Sequence, residues 1–240
     1  MERHSAILGK WDYVFLLGES GGGKGTLVKN IKKYWLPDLE AQSMGDLFRE
    51  KAKTDEEIKR LTDEGVLIGD DVVFRMFRDM IKEGTGPGLV DGFPRNREQA
   101  LDAIKFIKEH RWRVLVIDIT CDIEVIIERL LHRGREDDKL SIMYKRNQTH
   151  KTHHPIVMEE IKNRRDLFDV ITINGNQPSE IAFTNFMLDV LRMVDMLYLY
   201  NINLQLPEFA PDRDEMTINP AVNRFICGML RNIQNSIDGE

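Results

Sequence analysis

The stretch that decides the fold is Gly18-Glu19-Ser20-Gly21-Gly22-Gly23-Lys24-Gly25-Thr26. An apolar run over residues 11–17 leads into it and reads as a buried strand. Behind it, residues 24–34 set Leu27, Ile31 and Tyr34 on one face at helical spacing. A glycine-rich turn between a strand and a helix has the form of a phosphate loop. Its glycines let backbone N–H groups turn inward onto phosphate oxygens, and the helix start adds its positive end. Lys24 reaches the outer phosphates as a point charge. The general pattern sets Ser or Thr directly after the lysine. Here Gly25 intervenes, and Thr26 is expected to contact a phosphate. Gly21, Gly22, Gly23, Lys24, Gly25 and Thr26 are therefore the candidate phosphate-binding residues; the alternative is a glycine-rich turn with no ligand.

Outward from the loop, strands and helices alternate. Further strands read at 89–91, 113–119 and 170–173. Helices read at 70–81, 98–110, 122–132, 142–165 with a break near Pro155, and 181–198, while 46–64 reads as two short, charged, exposed helices. This alternation predicts an α/β fold: a P-loop three-layer α/β/α core with a parallel sheet covered on both faces. The core is assigned to residues 1–206. Past Pro207 the pattern fades, and 207–240 is an extension of no assigned role, with one more helix expected at 222–233.

The chain has 240 residues, 42% of them hydrophobic, and a net charge of -6. That is enough for one large domain with a packed core. The negative balance argues against a nucleic-acid partner, so any anion site must be a local concentration of arginine and glycine amides. Two distant cysteines, Cys121 and Cys227, make no disulfide framework; in apolar surroundings they read as buried thiols of a reducing compartment, and a cytoplasmic location is expected. The polar N-terminus reads as lacking a signal peptide. The apolar stretch 183–206 carries Asp189, Arg192 and Asp195, which reads as a core or interface helix rather than a membrane span. No membrane partner is expected, and a monomer is the favoured state.

The Gly-Lys-Gly-Thr loop resembles that of the adenylate kinase family of nucleoside monophosphate kinases. Gly45-Asp46-Leu47-Phe48-Arg49 is similar to the family's Gly-Asp-x-x-Arg segment, and Leu67-Ile68 with Asp70 and Val72-Val73 resembles the stretch that packs on the acceptor base. Asp91-Gly92-Phe93-Pro94-Arg95 with Gln99 matches Asp-Gly-Phe/Tyr-Pro-Arg…Gln. Glu128-Arg129 through Arg133-Gly134-Arg135 and Asp137-Asp138 resembles the lid entry, and Arg146 stands at the lid's last arginine. Gly175 with Gln177-Pro178 resembles the turn beside the ATP adenine.

The resemblance implies a kinase that moves the γ-phosphoryl group of ATP, with Mg²⁺, onto a nucleoside monophosphate. Small insertions at 46–74 for the monophosphate and 134–145 as a short lid are expected. The lid is too short for the four-cysteine zinc type, and no cysteine stands there. Arg49 and Arg95 would hold the acceptor phosphate with Gly92 beside them, and Met44, Leu67 and Ile68 would make apolar contact with the acceptor base. Arg133, Arg135 and Arg146 would close over the transferring group, giving Lys24, Arg95, Arg133, Arg135 and Arg146 as the catalytic set. Arg129 would stack on the ATP adenine near Gln177, and Asp91 would orient Mg²⁺ through water. Such a transfer gathers negative charge, which is why bidentate, permanently charged arginines suit it.

The match is broken in places. Ser20 stands where proline is common in the loop. Met44 replaces a threonine usual in adenylate members, and pyrimidine-specific relatives also lack that threonine. Gln99, whose amide can pair with a base edge, is weighed the more heavily. AMP is the expected acceptor, with a UMP/CMP-type kinase as one alternative and a nucleotide-binding regulatory module without turnover as another. After Arg146 the expected Tyr-x-x-x-Thr-x-Pro gives way to His150-Lys151-Thr152-His153-His154-Pro155. His150 and His154 have helical spacing that a metal could use, yet with no carboxylate within the cluster the reading is a solvated polar face.

Overall fold

The computed structural model describes residues 11–37, 39–64, 68–81, 88–133 and 140–193, the side chains of Arg133, Leu191 and Arg192 excepted. Five strands form one parallel sheet: β1 (Tyr13–Gly18), β2 (Ala41–Ser43), β3 (Leu89–Asp91), β4 (Val114–Thr120) and β5 (Phe168–Asn174), in the order β2-β3-β1-β4-β5. Phe15 stands opposite Val90 on one side and Val116 on the other, and Ile117 opposite Ile171. Eight helices accompany the sheet among the described residues: α1 (Lys24–Tyr34), α2 (Met44–Lys51), α3 (Glu56–Glu64), α4 (Asp70–Met80), α5 (Arg97–Glu109), α6 (Ile123–Arg133), α7 (Leu140–Lys162) and α8 (Ser179–Met193).

The strands are apolar almost end to end because both faces are covered. Successive side chains alternate between the faces. Val14 and Leu16 of β1 pack with Leu27 and Ile31 of α1 and Phe186 of α8, whereas Phe15 and Leu17 pack with Phe77 of α4, Ile107 of α5 and Ile161 of α7. Phe77 stacks on Phe93, ring centroids 4.2 Å apart, and meets Phe15 edge-on at 5.8 Å. Phe93 is fully buried, so the loop after β3 is anchored from below, at roughly 1.5–3 kcal/mol for such a side chain. At the opposite, N-terminal end of the sheet, Asp169 of β5 accepts from the Trp11 indole at 2.8 Å and pairs with Arg113 at 3.1 Å, clasping β1, β4 and β5 together.

Several expectations need correction. β2 was not expected; it pairs only with β3 at the sheet edge. α7 runs unbroken through Pro155, because Val157, Met158 and Ile161 beyond it are buried in the core and hold the last turns in place. Residues 140–145 of the expected lid form the start of α7, and 134–139 lie outside the described residues, as do Leu67 and the helix expected at 222–233. Cys121 is half-buried rather than buried, within 3.6 Å of Arg129 Nη1; Cys227 lies outside the described residues. α8 is a core helix, with Phe183, Phe186, Met187 and Val190 buried. No helix among the described residues is long and apolar enough to cross a membrane.

Candidate active site

A cleft of about 720 Å³ opens at the C-terminal ends of β1, β3 and β4, a size typical of ligand sites. This is where parallel α/β sheets bind ligands, next to the strand where the chain's direction of progress across the sheet reverses. The whole glycine loop, residues 18–26, lines it. Gly23 ends the loop at φ 104°, in the left-handed region, so the α1 amides can face the cleft. Gly175, in the turn after β5, approaches so closely that a Cβ there would fall 2.7 Å from the Gly22 carbonyl oxygen. Thr26 is exposed on the cleft wall, and Gly25 has open space around it. Lys24 Nζ donates to the carbonyls of Gly18 (2.9 Å) and Glu19 (2.8 Å) and lies 3.8 Å from Asp91 Oδ1. Asp91 Oδ1 is buried and accepts no hydrogen bond from the described residues.

The arginines gather on the other side of the cleft. Arg95 is exposed to the cleft, and its Nε donates to the Gly92 carbonyl at 2.8 Å. Arg49 is held by Asp46 one helical turn before it, and Arg146 Nη2 donates to the Thr62 carbonyl of α3 at 3.3 Å. Enclosure by the cleft walls draws the Arg95 guanidinium below its ordinary value, Asp91 opposes this, and Arg146 and Arg49 add to it. A guanidinium with two more close enough to act on its charge, all on one cleft, marks a place for a polyanion. Arg129 and Gln177 line the other end of the cleft, and Gln177 accepts from Asn185 Nδ2 at 3.0 Å. Ile68 and Gly92 also line it. The Arg133 side chain and all of Arg135 lie outside the described residues.

Met44 was expected at the acceptor base but does not line the cleft. It is 0% exposed and points with Phe48, one turn on, into the apolar core, while its neighbours Ser43 and Gly45 line the cleft. Ser43 caps α2, its hydroxyl accepting from the Asp46 amide at 3.4 Å. Gln99 lines the cleft but is 1% exposed. One end of its amide donates to Asp70 and the other accepts from the Arg95 backbone.

The histidine segment is also not a solvated face. His150 and His154 stack with ring centroids 4.2 Å apart and face inward. His150 Nδ1 lies 3.2 Å from Glu19 Oε1, and Asn147 Nδ2 donates to that same oxygen at 2.8 Å. His154 Nε2 lies 2.9 Å from Asp118 Oδ1 of β4, at an angle too poor for a hydrogen bond. The carboxylates missing from the segment itself thus come from the loop and the sheet. Among the described residues no group of three or more such side chains is arranged to hold a metal ion. Met143, Asn147, His150 and His154 recur at helical spacing, the inward stripe of α7. An acidic residue, Glu19, inside the glycine-rich loop was the second signal that such partners exist.

Burial, reinforced by His154 and Lys24 and opposed by the Glu19 hydrogen bond, holds the His150 imidazole below its ordinary 6.5. A base lowered on folding binds fewer protons than in the unfolded chain, so stability rises with pH up to that ordinary value and is lost on acidification below it. The melting temperature should therefore fall between about pH 7 and pH 5.5, and His150→Gln should flatten part of that slope. An unchanged slope in the variant would place the proton elsewhere.

The comparisons with known proteins agree with this geometry. The family described as Adenylate kinase matches residues 16–165. The chain is 34% identical to an adenylate kinase of Nocardioides sp. over 74% of its own length and 97% of that protein. It is also 34% identical to UMP-CMP kinase 1 of Oryza sativa subsp. japonica, over 71% of this chain and 70% of that one, and 33% identical to a uridylate kinase of Saccharomyces cerevisiae, over 60% and 75%. With a phosphate loop and three arginines gathered on one cleft of the α/β fold, and with this extent of likeness, the chain belongs to the adenylate kinase family and is a nucleoside monophosphate kinase, a phosphotransferase.

Proposed function

We propose that this protein transfers the γ-phosphoryl group of MgATP to AMP, forming two ADP. The observation that carries the reading is one cleft with the glycine loop and Lys24 on one side and Arg49, Arg95 and Arg146 on the other. ATP phosphates would lie along the loop amides, and the acceptor phosphate between Arg49 and Arg95. Arg146, with Arg133 and Arg135 from the 134–145 lid, would meet the charge that develops between them. Arg129 and Gln177 would border the donor adenine. Residues 46–74 would form the acceptor insertion, with Ile68 and Leu67 against the base.

Asp91 fits a role toward Mg²⁺ through water, because its buried Oδ1 accepts no hydrogen bond from the described residues and faces the loop lysine. The ion supplies charge neutralisation at the phosphate oxygens. Closing the cleft would exclude water and suppress hydrolysis of ATP.

Gln99 favours AMP, and the kinship to UMP-CMP and uridylate kinases favours a pyrimidine acceptor. A coupled assay at saturating MgATP with AMP, CMP, UMP and dTMP decides between them. AMP should lead in kcat/KM by roughly ten- to two-hundredfold, and Gln99→Leu should remove most of that lead. A wild type that prefers UMP would make it a pyrimidine kinase, and no turnover with any acceptor would make it a binding module.

A further inference from the structure

Gln99 is held by a closed set of hydrogen bonds. Its Nε2 donates to Asp70 Oδ1 at 2.9 Å, and its Oε1 accepts from the Arg95 amide at 2.8 Å. Asn96 Nδ2 donates to the same Asp70 oxygen at 2.7 Å, and Asn96 Oδ1 accepts from the Gln99 amide at 2.9 Å. Every partner here is chemically one-way. A carboxylate only accepts and a backbone N–H only donates. Turning the Gln99 amide over would set its oxygen against Asp70 and its NH₂ against the Arg95 N–H, losing both bonds and creating two like-polarity contacts. The amide therefore has one orientation. It retains one N–H and one oxygen lone pair, on a side chain that lines the cleft, while Asp70 stands behind it off the cleft wall.

A free amide reads a donor–acceptor edge in either order, because it can flip. A fixed amide reads one order only. Adenine and cytosine carry an exocyclic amino donor beside an acceptor ring nitrogen, whereas uracil and thymine carry a carbonyl beside a ring N–H. With the acceptor phosphate held by Arg49 and Arg95, the base cannot slide to reverse that order. We propose that Asp70 is a specificity-determining positioning residue: it fixes Gln99 so that the acceptor site takes amino-bearing bases, adenine first and cytosine second, and refuses uracil and thymine. This inference rests on the reading that Gln99 faces the acceptor base. It reaches beyond that reading by separating the two pyrimidines.

The test is kcat/KM for AMP, CMP, UMP and dTMP in wild type, Asp70→Ala and Asp70→Asn. Asparagine retains the single oxygen on which both bonds converge; alanine does not. Wild type should use AMP and CMP at least about tenfold better than UMP. Asp70→Ala should lower the AMP:UMP and CMP:UMP ratios about fivefold or more while the KM for ATP holds, since one of the two bonds that set the amide is gone and only the Arg95 N–H then opposes a flip. Asp70→Asn should keep both ratios near wild type. Equal use of CMP and UMP by wild type overturns the inference without any variant needing to fold. So does an Asp70→Ala protein that loses rate equally with every acceptor, the signature of a merely structural residue. If Gln99→Leu changes no acceptor's value, the fault lies in the placement of the base, and the acceptor-site reading falls with it.

Discussion

Lys24→Ala should lower kcat roughly a thousandfold while the protein stays folded. Lys24 is the only cation in the 18–26 stretch, and it stands at the first turn of α1. Its ammonium is held near the loop by the Gly18 and Glu19 carbonyls, 2.9 and 2.8 Å away, with Asp91 at 3.8 Å. Those contacts keep it beside the phosphates' place at little reorganisation cost, which is what makes a fixed charge effective in a transition state. Removing it also takes one counter-charge from Asp91, at a cost of order 1 kcal/mol in stability. Lys24→Met, which keeps the apolar stem, serves as the companion. The measurement is kcat at saturating MgATP and AMP beside a melting curve of each variant. A folded variant with near-normal kcat would take the loop out of the chemistry.

Arg95→Ala should weaken acceptor use by about 2–4 kcal/mol in kcat/KM, or roughly thirty- to a thousandfold, and barely touch the KM for ATP. The asymmetry follows from its place. Arg95 leaves the loop after β3, anchored by buried Phe93 and by its own Nε bond to Gly92, and faces Arg49 and Arg146 rather than the glycine loop. Arg49 and Arg146 both act against the Arg95 charge, so its removal should leave the fold intact. The loss shows when a phosphate must be held. If ATP binding fell and acceptor kinetics did not, the donor and acceptor sites would be exchanged.

How much could be read before the fold was known depended on how local the deciding signal was. The strand–loop–helix of residues 13–34 was legible because an apolar run, glycines and lysine all lie within one short stretch. The same holds for α4 and α5, whose apolar stripes are continuous. β2 was not legible: its three residues, Ala41, Gln42 and Ser43, make an edge strand with no apolar run. Met44 was misplaced because a motif fixes position along the chain but not helix face; only the shared burial of Met44 and Phe48 shows which way that face turns. The histidines were misread because their partners are remote in sequence: Glu19 of the loop stands at His150 and Asp118 of β4 at His154. A proline rule is likewise local, and it yields in α7 to the buried residues beyond Pro155.

The clasp of Asp169 on Trp11 and Arg113 has an optical consequence. Trp11 is sealed at the N-terminal end of the sheet, about 20 Å along the strands from the cleft. Trp112 packs on Tyr13 and Phe106 at that same end, ring centroids 4.5 and 5.5 Å away, and Trp35 lies against Phe186 behind α1. These are all the tryptophans in the chain, and none lines the cleft. Intrinsic emission should therefore track loss of the core and stay nearly silent to nucleotide. A fluorescence melt of Lys24→Ala or Arg95→Ala then reports the fold alone, separate from the site those changes are meant to disable.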